Sequence, residues 1–191
     1  MDRRIKKNQE AIMKALLSLM AEKDFSKITI NEIAERADVN RGTIYSHYMD
    51  KYDLLDACIE THLDQLMASC MPIEGVELFP SKNSLLRTFE LMEKNASLYT
   101  TLLTNKGVPP FRNRVQAMLE KGIQEQITTN HHDLGLHTDV LVQFLSSATV
   151  GVIEWWFTHA MPYSAAEITD QLWTLLELNQ MIPRTSPVQP L

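Results

Sequence analysis

The chain has 191 residues, enough for one domain or for a small domain followed by a larger one, and 45% of them are hydrophobic, which suffices for a packed core. Its 6 Gly and 8 Pro are few, so the composition favours an all-α protein. The net charge is −6, yet residues 1–52 hold 10 Lys+Arg against 8 Asp+Glu and are basic. The sequence shows neither a run of about 18 apolar residues nor a secretory signal, so we expect a cytoplasmic protein with no membrane partner.

An amphipathic helix is predicted from about Arg3 to Lys23. Its apolar residues recur at helical spacing: Ile5, Ile12, Leu16, Leu19 and Met20. Basic residues lead the helix: Arg3, Arg4, Lys6 and Lys7. This basic start is either simply solvated or forms a short arm that contacts phosphates or the minor groove of DNA, and the sequence leaves both interpretations open.

Residues 29–37 predict a second, short helix. Thr29 followed by Glu32 three positions later is a capping-box pattern. An apolar stripe follows at helical spacing: Ile30, Ile33, Ala34 and Ala37. Asp38 stands where the chain must reverse, a position that often requires φ > 0, which Asp tolerates better than most residues. The pattern predicts a tight turn at Asp38, with Val39 filling the angle between this helix and the next.

A third helix is predicted from its N-cap, Asn40, to Tyr48. Ile44 and Tyr48 are four residues apart and face inward, so a polar set faces outward: Arg41, Thr43, Tyr45 and His47. Arg pairs with guanine edges, Thr contacts base edges or thymine methyl groups, and Tyr and His reach phosphates, so this face suits the major groove of DNA. Gly42 costs about 1 kcal/mol inside a helix, which makes sense if the backbone approaches DNA closely. The alternative is an ordinary helical hairpin with a solvated polar face.

A fourth helix is predicted from Lys51, behind the N-cap Asp50, to about Cys70. Its apolar stripe contains Leu54, Leu55, Ile59, Leu63, Leu66 and Met67. Lys51 lies beside the helix N-terminus and is a predicted phosphate anchor. Cys58 and Cys70 are twelve residues apart on this helix, a rise of about 18 Å. They cannot form a disulfide with each other, which agrees with a reducing compartment.

These helices carry a family resemblance. The run Thr29-Ile-x-x-Ile33-Ala34-x-x-Ala37-x-Val39-x-x-Gly42-Thr43-Ile44-Tyr45-x-His47-Tyr48-x-x-Lys51-x-x-Leu54 resembles the N-terminal DNA-binding domain of the TetR family of bacterial transcriptional regulators. The sequence departs from the family pattern at Asp38, where members often have Gly, and at Tyr48, where they often have Phe. The resemblance implies an N-terminal three-helix helix-turn-helix domain at residues 1–50. It also implies a helical-bundle dimerisation and effector-binding domain at residues 51–191, in which residues 51–70 form the connecting helix.

The implied function is regulation of transcription by a homodimer, usually a repressor, that binds a double-stranded DNA operator and is modulated by a small effector in the C-terminal domain. The residues predicted to contact DNA are Thr29, Arg41, Gly42, Thr43, Tyr45, His47 and Lys51. A DNA-binding regulator controlled by a protein partner, or by no effector, is the alternative. The sequence contains no nucleophile–base spacing, Gly-rich phosphate loop or paired carboxylates, so neither an enzyme nor a cofactor is predicted.

The rest of the chain predicts five further helices after a Pro- and Gly-containing boundary from Met71 to Pro80. They start near Ser81, before Leu98, at Pro109, at Asp139 and at Ser164, and the tail from Pro183 has no periodicity. The helix from Asp139 to about Ala160 is apolar around much of its circumference, so both of its sides must be buried. We expect a second copy of the chain to cover this surface, which includes Trp155, Trp156 and Trp173.

Two weaker patterns concern ligands. Five aromatic and methionine residues could line an effector pocket, although such a stripe at helical spacing is more often simply core: Phe89, Met92, Tyr99, Met118 and Phe144. A histidine-rich group lacks a fixed helical spacing or a cysteine partner, so no metal site is predicted there: His131, His132, Asp133 and His137.

Overall fold

The computed structural model describes residues 3–71, 81–105, 109–130 and 137–178, and the structural statements below concern these ranges. They contain nine α-helices, one 3-10 helix and no β-strand. The elements are α1 (Arg3–Glu22), the 3-10 helix (Phe25–Lys27), α2 (Ile30–Ala37), α3 (Arg41–Tyr45), α4 (Lys51–Cys70), α5 (Lys82–Lys94), α6 (Ala96–Thr104), α7 (Pro109–Asn130), α8 (Thr138–Thr158) and α9 (Ala165–Leu178). The predicted all-α fold is therefore confirmed. Outside the described ranges lie most of the predicted Met71–Pro80 boundary, the residues His131, His132 and Asp133, and the tail from Pro183.

The chain divides into two compact units. The N-terminal unit comprises Met1–Gln65 and Asn95–Val115, and the C-terminal unit comprises Leu66–Lys94 and Gln116–Leu191. The predicted DNA-binding domain, residues 1–50, lies wholly within the N-terminal unit, which also contains most of α4, all of α6 and the start of α7. This division follows packing, whereas the predicted boundary between residues 50 and 51 concerns function and stays a prediction.

The core of the N-terminal unit forms where the inward faces of its helices meet. Helix α1 packs on α2 and α6, and α2 packs on α3. Side chains that are at most 1% exposed include Ile12, Leu16, Phe25, Ile28, Ile33, Ile44, Leu54, Ile59, Tyr99, Leu102 and Phe111. Burial of one such side chain is worth about 1.5–3 kcal/mol. This packing supports α2 and α3, which are too short to be stable as isolated helices.

Arg114 fastens the start of α7 to α4 within the N-terminal unit. Its Nη1 donates to Glu60 Oε1 at 2.6 Å, and its Nη2 donates to Asp56 Oδ1 at 2.8 Å. Asp56 and Glu60 are four residues apart and therefore share one face of α4. The partly exposed ion pairs add little to stability, but their geometry fixes the register of one helix against the other.

The C-terminal unit is organised around α8. Its inward residues are Leu141, Val142, Leu145, Ser146, Val150, Ile153, Trp156 and Phe157. The Trp156 ring meets Phe89 of α5 edge to face, with 5.4 Å between ring centroids. Helix α5 packs on α9, and Lys82 Nζ lies 2.8 Å from Asp170 Oδ1 between these two helices.

The expectation that Trp156 lies on a dimer surface is wrong. Trp156 is completely buried in its own unit, and its indole N–H donates to the carbonyl oxygen of Tyr163 at 2.8 Å. That carbonyl belongs to the loop between α8 and α9, in which Ala160 and Met161 have φ of 57° and 50°. The indole therefore fixes a left-handed turn, whereas the neighbouring Trp155 is 40% exposed at the surface of α8.

One helix in the described ranges, α8, is long and apolar enough by composition to cross a membrane. Of its most apolar window, 44% is buried inside the protein. The core helix of a globular protein meets the same criterion, and α8 packs as a core helix along one side.

Tyr48 follows α3 and stands where family members often have Phe. Its side chain is 5% exposed, and its hydroxyl group is buried with no hydrogen-bond partner in the described part of the chain. Burial raises the pKa of this phenol. A buried polar group without a partner costs about 1–3 kcal/mol.

We expect the substitution Tyr48→Phe to raise the free energy of unfolding by about 1 kcal/mol, because it removes the unsatisfied hydroxyl group and keeps the ring. Tyr45→Phe is the matched control: the Tyr45 side chain is 50% exposed, and losing a surface hydroxyl should change stability by less than about 0.5 kcal/mol. Urea denaturation followed by circular dichroism measures both values. A Tyr48→Phe protein less stable than wild type would contradict this account.

Candidate nucleic-acid interface

The start of α2 is fixed by a complete capping box, as predicted. The Thr29 hydroxyl accepts from the Glu32 N–H at 3.3 Å, and the Glu32 carboxylate accepts from the Thr29 N–H at 2.9 Å. Lys23 forms an ion pair with the same carboxylate. The bonds from Lys23 and Thr29 lower the pKa of Glu32 to about 2. The cap therefore stabilises the fold at neutral pH, and this contribution is lost as the pH falls from about 4.5 towards 2.

The reversal between α2 and α3 has the predicted left-handed residue. Asp38 has φ 53° and ψ 47°, and its N–H donates to the carbonyl oxygens of Ala34 and Glu35. The following residue, Val39, is half-buried, and its N–H donates to Ala34 at 3.0 Å. These bonds satisfy the carbonyl end of α2 and turn the chain into α3.

Asn40 is the N-cap of α3, as predicted, since its Oδ1 accepts from the Gly42 N–H at 3.0 Å. The helix is shorter than predicted and ends at Tyr45 rather than Tyr48. The chain tightens there, because the His47 N–H donates to the carbonyl of Ile44, three residues back, at 3.0 Å. Ile44 and Tyr48 are nevertheless both buried, as predicted.

The outward face of α3 is polar and accessible. Arg41, Gly42 and Tyr45 are exposed, and Thr43 and His47 are partly exposed. The Arg41 guanidinium carbon lies 5.7 Å from the centroid of the Tyr45 ring, a cation–π distance. Arg41 and Tyr45 therefore form a contiguous patch one helical turn apart.

Nothing in the described fold requires residue 42 to be glycine. A Cβ atom added to Gly42 would lie 3.6 Å from Asn40 Oδ1, an ordinary van der Waals distance. Glycine at this helical position costs about 1 kcal/mol relative to alanine. The backbone at the exposed start of α3 is therefore bare without any need of the described fold.

The first turn of α4 is held by two side chains. Asp50 Oδ1 accepts from the Tyr52 and Asp53 N–H groups at 2.8 and 2.9 Å, which confirms it as the N-cap. Lys51 Nζ donates to the carbonyl oxygens of Phe25, Ser26 and Ile28 at 3.2, 2.9 and 2.9 Å. An ammonium group has three donors, and all three point at the segment between α1 and α2. The sequence indicated a phosphate anchor here and gave no sign of these bonds, which span 23–26 residues.

The basic N-terminal residues do not form a separate extended arm, because α1 begins at Arg3. The side chains of Arg4, Lys6 and Lys7 are exposed on its first turns. Both interpretations of this basic start, solvated helix or DNA contact, are compatible with that position.

The five residues considered for an effector pocket have different environments. Phe89 and Met92 are buried in the C-terminal unit, and Tyr99 is buried in the N-terminal unit. Met118 is half-buried, whereas Phe144 is 58% exposed and lines an open groove of about 870 Å³ along α8. Among the described residues no group of His, Cys, Asp and Glu could hold a metal ion.

Comparison with known proteins matches both parts of the chain. Residues 12–58 match the family model for bacterial regulatory proteins of the tetR family, and residues 81–178 match the model named transcriptional regulator C-terminal region, TetR_C_8. Two HTH-type transcriptional regulators of Bacillus subtilis (strain 168) are similar in sequence. YxbF is 24% identical over 159 residues, covering 80% of this chain and 40% of its own length; YdeS is 27% identical over 148 residues, covering 69% and 73%.

A solved structure is similar throughout. A TetR transcriptional regulator from Streptococcus agalactiae 2603V superimposes with a TM-score of 0.71 at 28% identity, covering 92% of this chain and 96% of its own. The chain spans less than half of YxbF but nearly all of this structure. Because the second family model covers just over half of the chain and the first covers the helix-turn-helix, the chain belongs to the TetR family of DNA-binding transcriptional regulators.

Proposed function

We propose that this protein is a homodimeric, cytoplasmic repressor that binds a double-stranded DNA operator through α3 and is released by a small effector bound in its C-terminal domain. The proposal rests on the polar, exposed face of α3. The opposite face of this helix is packed into the core through Ile44 and Tyr48, so the polar face is turned to solvent and accessible to DNA. No catalytic role is part of it.

The proposed contacts divide by chemistry. Arg41 reads a guanine edge, Thr43 contacts a base edge or a thymine methyl group, and Tyr45 and His47 reach phosphates. Gly42 brings the backbone close to the DNA. Two further contacts come from helix N-termini, which favour phosphate: Thr29 at the start of α2 and Lys51 at the start of α4. A phosphate at Lys51 must replace one of the three carbonyl oxygens that its ammonium group now contacts.

We expect Gly42→Ala to leave the free energy of unfolding unchanged, or to raise it by up to about 1 kcal/mol. The same substitution should weaken operator binding about tenfold or more, because the added methyl group separates the backbone from DNA. Gly122→Ala on α7 is the matched control, since a Cβ atom there meets nothing within 4 Å. Urea denaturation and fluorescence anisotropy on a duplex selected from random sequences by the wild-type protein measure the two effects. Equal DNA binding by both variants would remove Gly42 from the interface.

Arg41→Ala should cost about 1–3 kcal/mol of operator affinity and relax the preference at one base pair, because the lost contact is to a base edge. Lys51→Ala should instead weaken operator and scrambled DNA alike, because neither a phosphate nor the carbonyls near Phe25 carry sequence information. Titrations at several salt concentrations separate the two roles of Lys51. A salt slope lower by about one indicates a phosphate contact, and an unchanged slope indicates support of the fold alone. Loss confined to the operator would contradict the proposal for Lys51.

Exposed apolar residues along α8 and α9 support the proposed dimer. They are Val140, Phe144 and Trp155 on α8, which are 64%, 58% and 40% exposed, and Leu175 and Leu178 on α9, which are 50% and 62% exposed. The α8 residues share one side of the helix, opposite the buried Ile153 and Trp156. Soluble monomers rarely expose a large contiguous apolar patch. A second copy of this chain covers such a surface with an identical one about a two-fold axis.

We expect sedimentation equilibrium at micromolar concentration to give a dimer, twice the 21.9 kDa of one chain. Phe144→Lys should shift the protein towards the monomer, because it places a charge in the apolar surface. Met49→Lys is the control, since Met49 is 83% exposed and lies in the N-terminal unit. A wild-type monomer, or equal dissociation of the two variants, would contradict the proposed interface.

The effector part of the proposal is supported by the family alone, because the five residues considered for the pocket lie in different environments and in both units. Pocket residues remain a proposal: Phe89, Met92, Tyr99, Met118 and Phe144. A ligand that lowers operator affinity must itself bind the DNA-bound dimer more weakly by the same factor. A protein partner in place of the small effector, or no effector at all, is the competing account.

A further inference from the structure

The side chain of Asn105 joins the end of α6 to the segment where α1 ends and the 3-10 helix begins, just before the helix-turn-helix. This residue is the C-cap of α6, and its carboxamide reaches a segment 80–85 residues earlier in the chain. Oδ1 accepts from the Phe25 N–H at 3.0 Å, and Nδ2 donates to the carbonyl oxygens of Met20 at 2.6 Å and Lys23 at 3.0 Å. All of these residues belong to the N-terminal unit.

The three bonds satisfy groups that a helix end leaves open. Met20 lies in the last turn of α1 and Lys23 directly follows the helix. The carbonyl oxygens at such a helix end have no partner within the helix. The Phe25 N–H begins the 3-10 helix. One amide therefore uses both of its N–H donors and its oxygen to hold the chain where α1 ends and the 3-10 helix begins.

The same segment sets the start of the two helices that follow. Lys23 forms the ion pair with Glu32 in the capping box of α2. The carbonyl oxygen of Phe25 accepts from Lys51 at the start of α4, and the Phe25 ring meets Tyr52 edge to face at 5.4 Å. Helix α2 in turn packs on α3. A displacement of residues 20–25 would therefore change the support of α3.

We propose that Asn105 is a positioning residue for operator binding: from the end of α6, its carboxamide holds the turn that orients the helix-turn-helix. This inference rests on the proposed binding of DNA through α3. If the amide is lost, only a fraction of the molecules present the helix-turn-helix in the competent orientation, and apparent affinity falls by that fraction.

The surroundings of Asn105 make the substitution testable. The side chain is half-buried and lines an open cleft of about 490 Å³ between the end of α1 and α6, together with Ala21, Thr100 and Thr104. Water can enter such a cleft and solvate the freed backbone groups, so Asn105→Ala is expected to fold. Thr104→Ala is the matched control, because Thr104 is the exposed neighbour and its hydroxyl donates within α6, to the Thr100 carbonyl at 2.7 Å.

The experiment compares full-length wild type, Asn105→Ala, Asn105→Asp and Thr104→Ala on the selected operator duplex, at a temperature where urea denaturation shows every variant to be folded. Asn105→Ala should bind about tenfold more weakly, the equivalent of one to two lost hydrogen bonds. Thr104→Ala should bind within twofold of wild type. Binding by Asn105→Ala within twofold of Thr104→Ala would overturn the inference.

The variant Asn105→Asp tests the inference through the pH dependence of operator affinity, which general destabilisation of the fold does not change. Its carboxylate accepts from the Phe25 N–H but has no proton for Met20 and Lys23, whereas the protonated acid restores one donor. Relative to wild type, its affinity should recover about twofold or more as the pH falls from 7.5 to 4.5, because an aspartate carboxyl group becomes protonated only towards the lower end of this range. The charged groups Glu22, Lys23 and Asp24 line the cleft in every variant, and the pH profiles of wild type and Thr104→Ala measure their own contribution.

A pH-independent ratio for Asn105→Asp would also overturn the inference, and this arm decides the matter if Asn105→Ala does not fold. Failure of the proposed function looks different. Wild-type protein that selects no duplex from random DNA would refute operator binding, and the inference with it. Wild type that binds, with variants that bind equally well, refutes the role of Asn105 alone.

Discussion

The N-terminal unit depends on how the backbone groups between α1 and α2 are satisfied. This segment ends one helix and begins another, so several of its carbonyl and N–H groups have no partner within a helix. Lys51 supplies donors to three of its carbonyl oxygens, and Asn105 supplies two donors and one acceptor. The Phe25 side chain of the same segment is only 1% exposed and packs into the core of the unit. Two side chains from distant parts of the sequence thus hold the segment between α1 and α2, and this segment positions the helices that follow it.

In this arrangement, the outer side of α3 does not contribute to packing. A five-residue helix is not stable alone, and its support comes from the Asn40 cap, the Asp38 turn and two buried side chains, Ile44 and Tyr48. The outward residues make few contacts with the rest of the described chain. Their identity can therefore change with little cost to the fold.

The features predicted from the sequence are those that depend on neighbours in the chain. The Thr29–Glu32 capping box, the left-handed Asp38 and the Asn40 and Asp50 caps each involve residues within a few positions, so spacing alone identified them. The bonds of Lys51, Asn105 and Arg114 join residues 23–85 positions apart, and no local pattern indicates them. In the sequence, Asn105 only marks the end of a predicted helix, and its bonds depend on how α6 packs against α1 in the folded chain.

Helix α8 shows a second limit of sequence patterns. A helix that is apolar around most of its circumference must be buried on both sides. Its sequence does not show which side packs against the rest of the same chain. The structure turns Trp156 inward, where its indole bonds the Tyr163 carbonyl, and leaves Trp155 outside.

That indole bond also fixes the end of α8 against the loop that leads into α9. A preformed surface loses less conformational entropy on association than a mobile one. In the proposed dimer, the residues that contact DNA lie in the N-terminal unit and the residues that join the two copies lie in the C-terminal unit. Substitutions that change the recognised DNA sequence and substitutions that change dimer strength therefore fall in different units, and each property can change without altering the packing that supports the other.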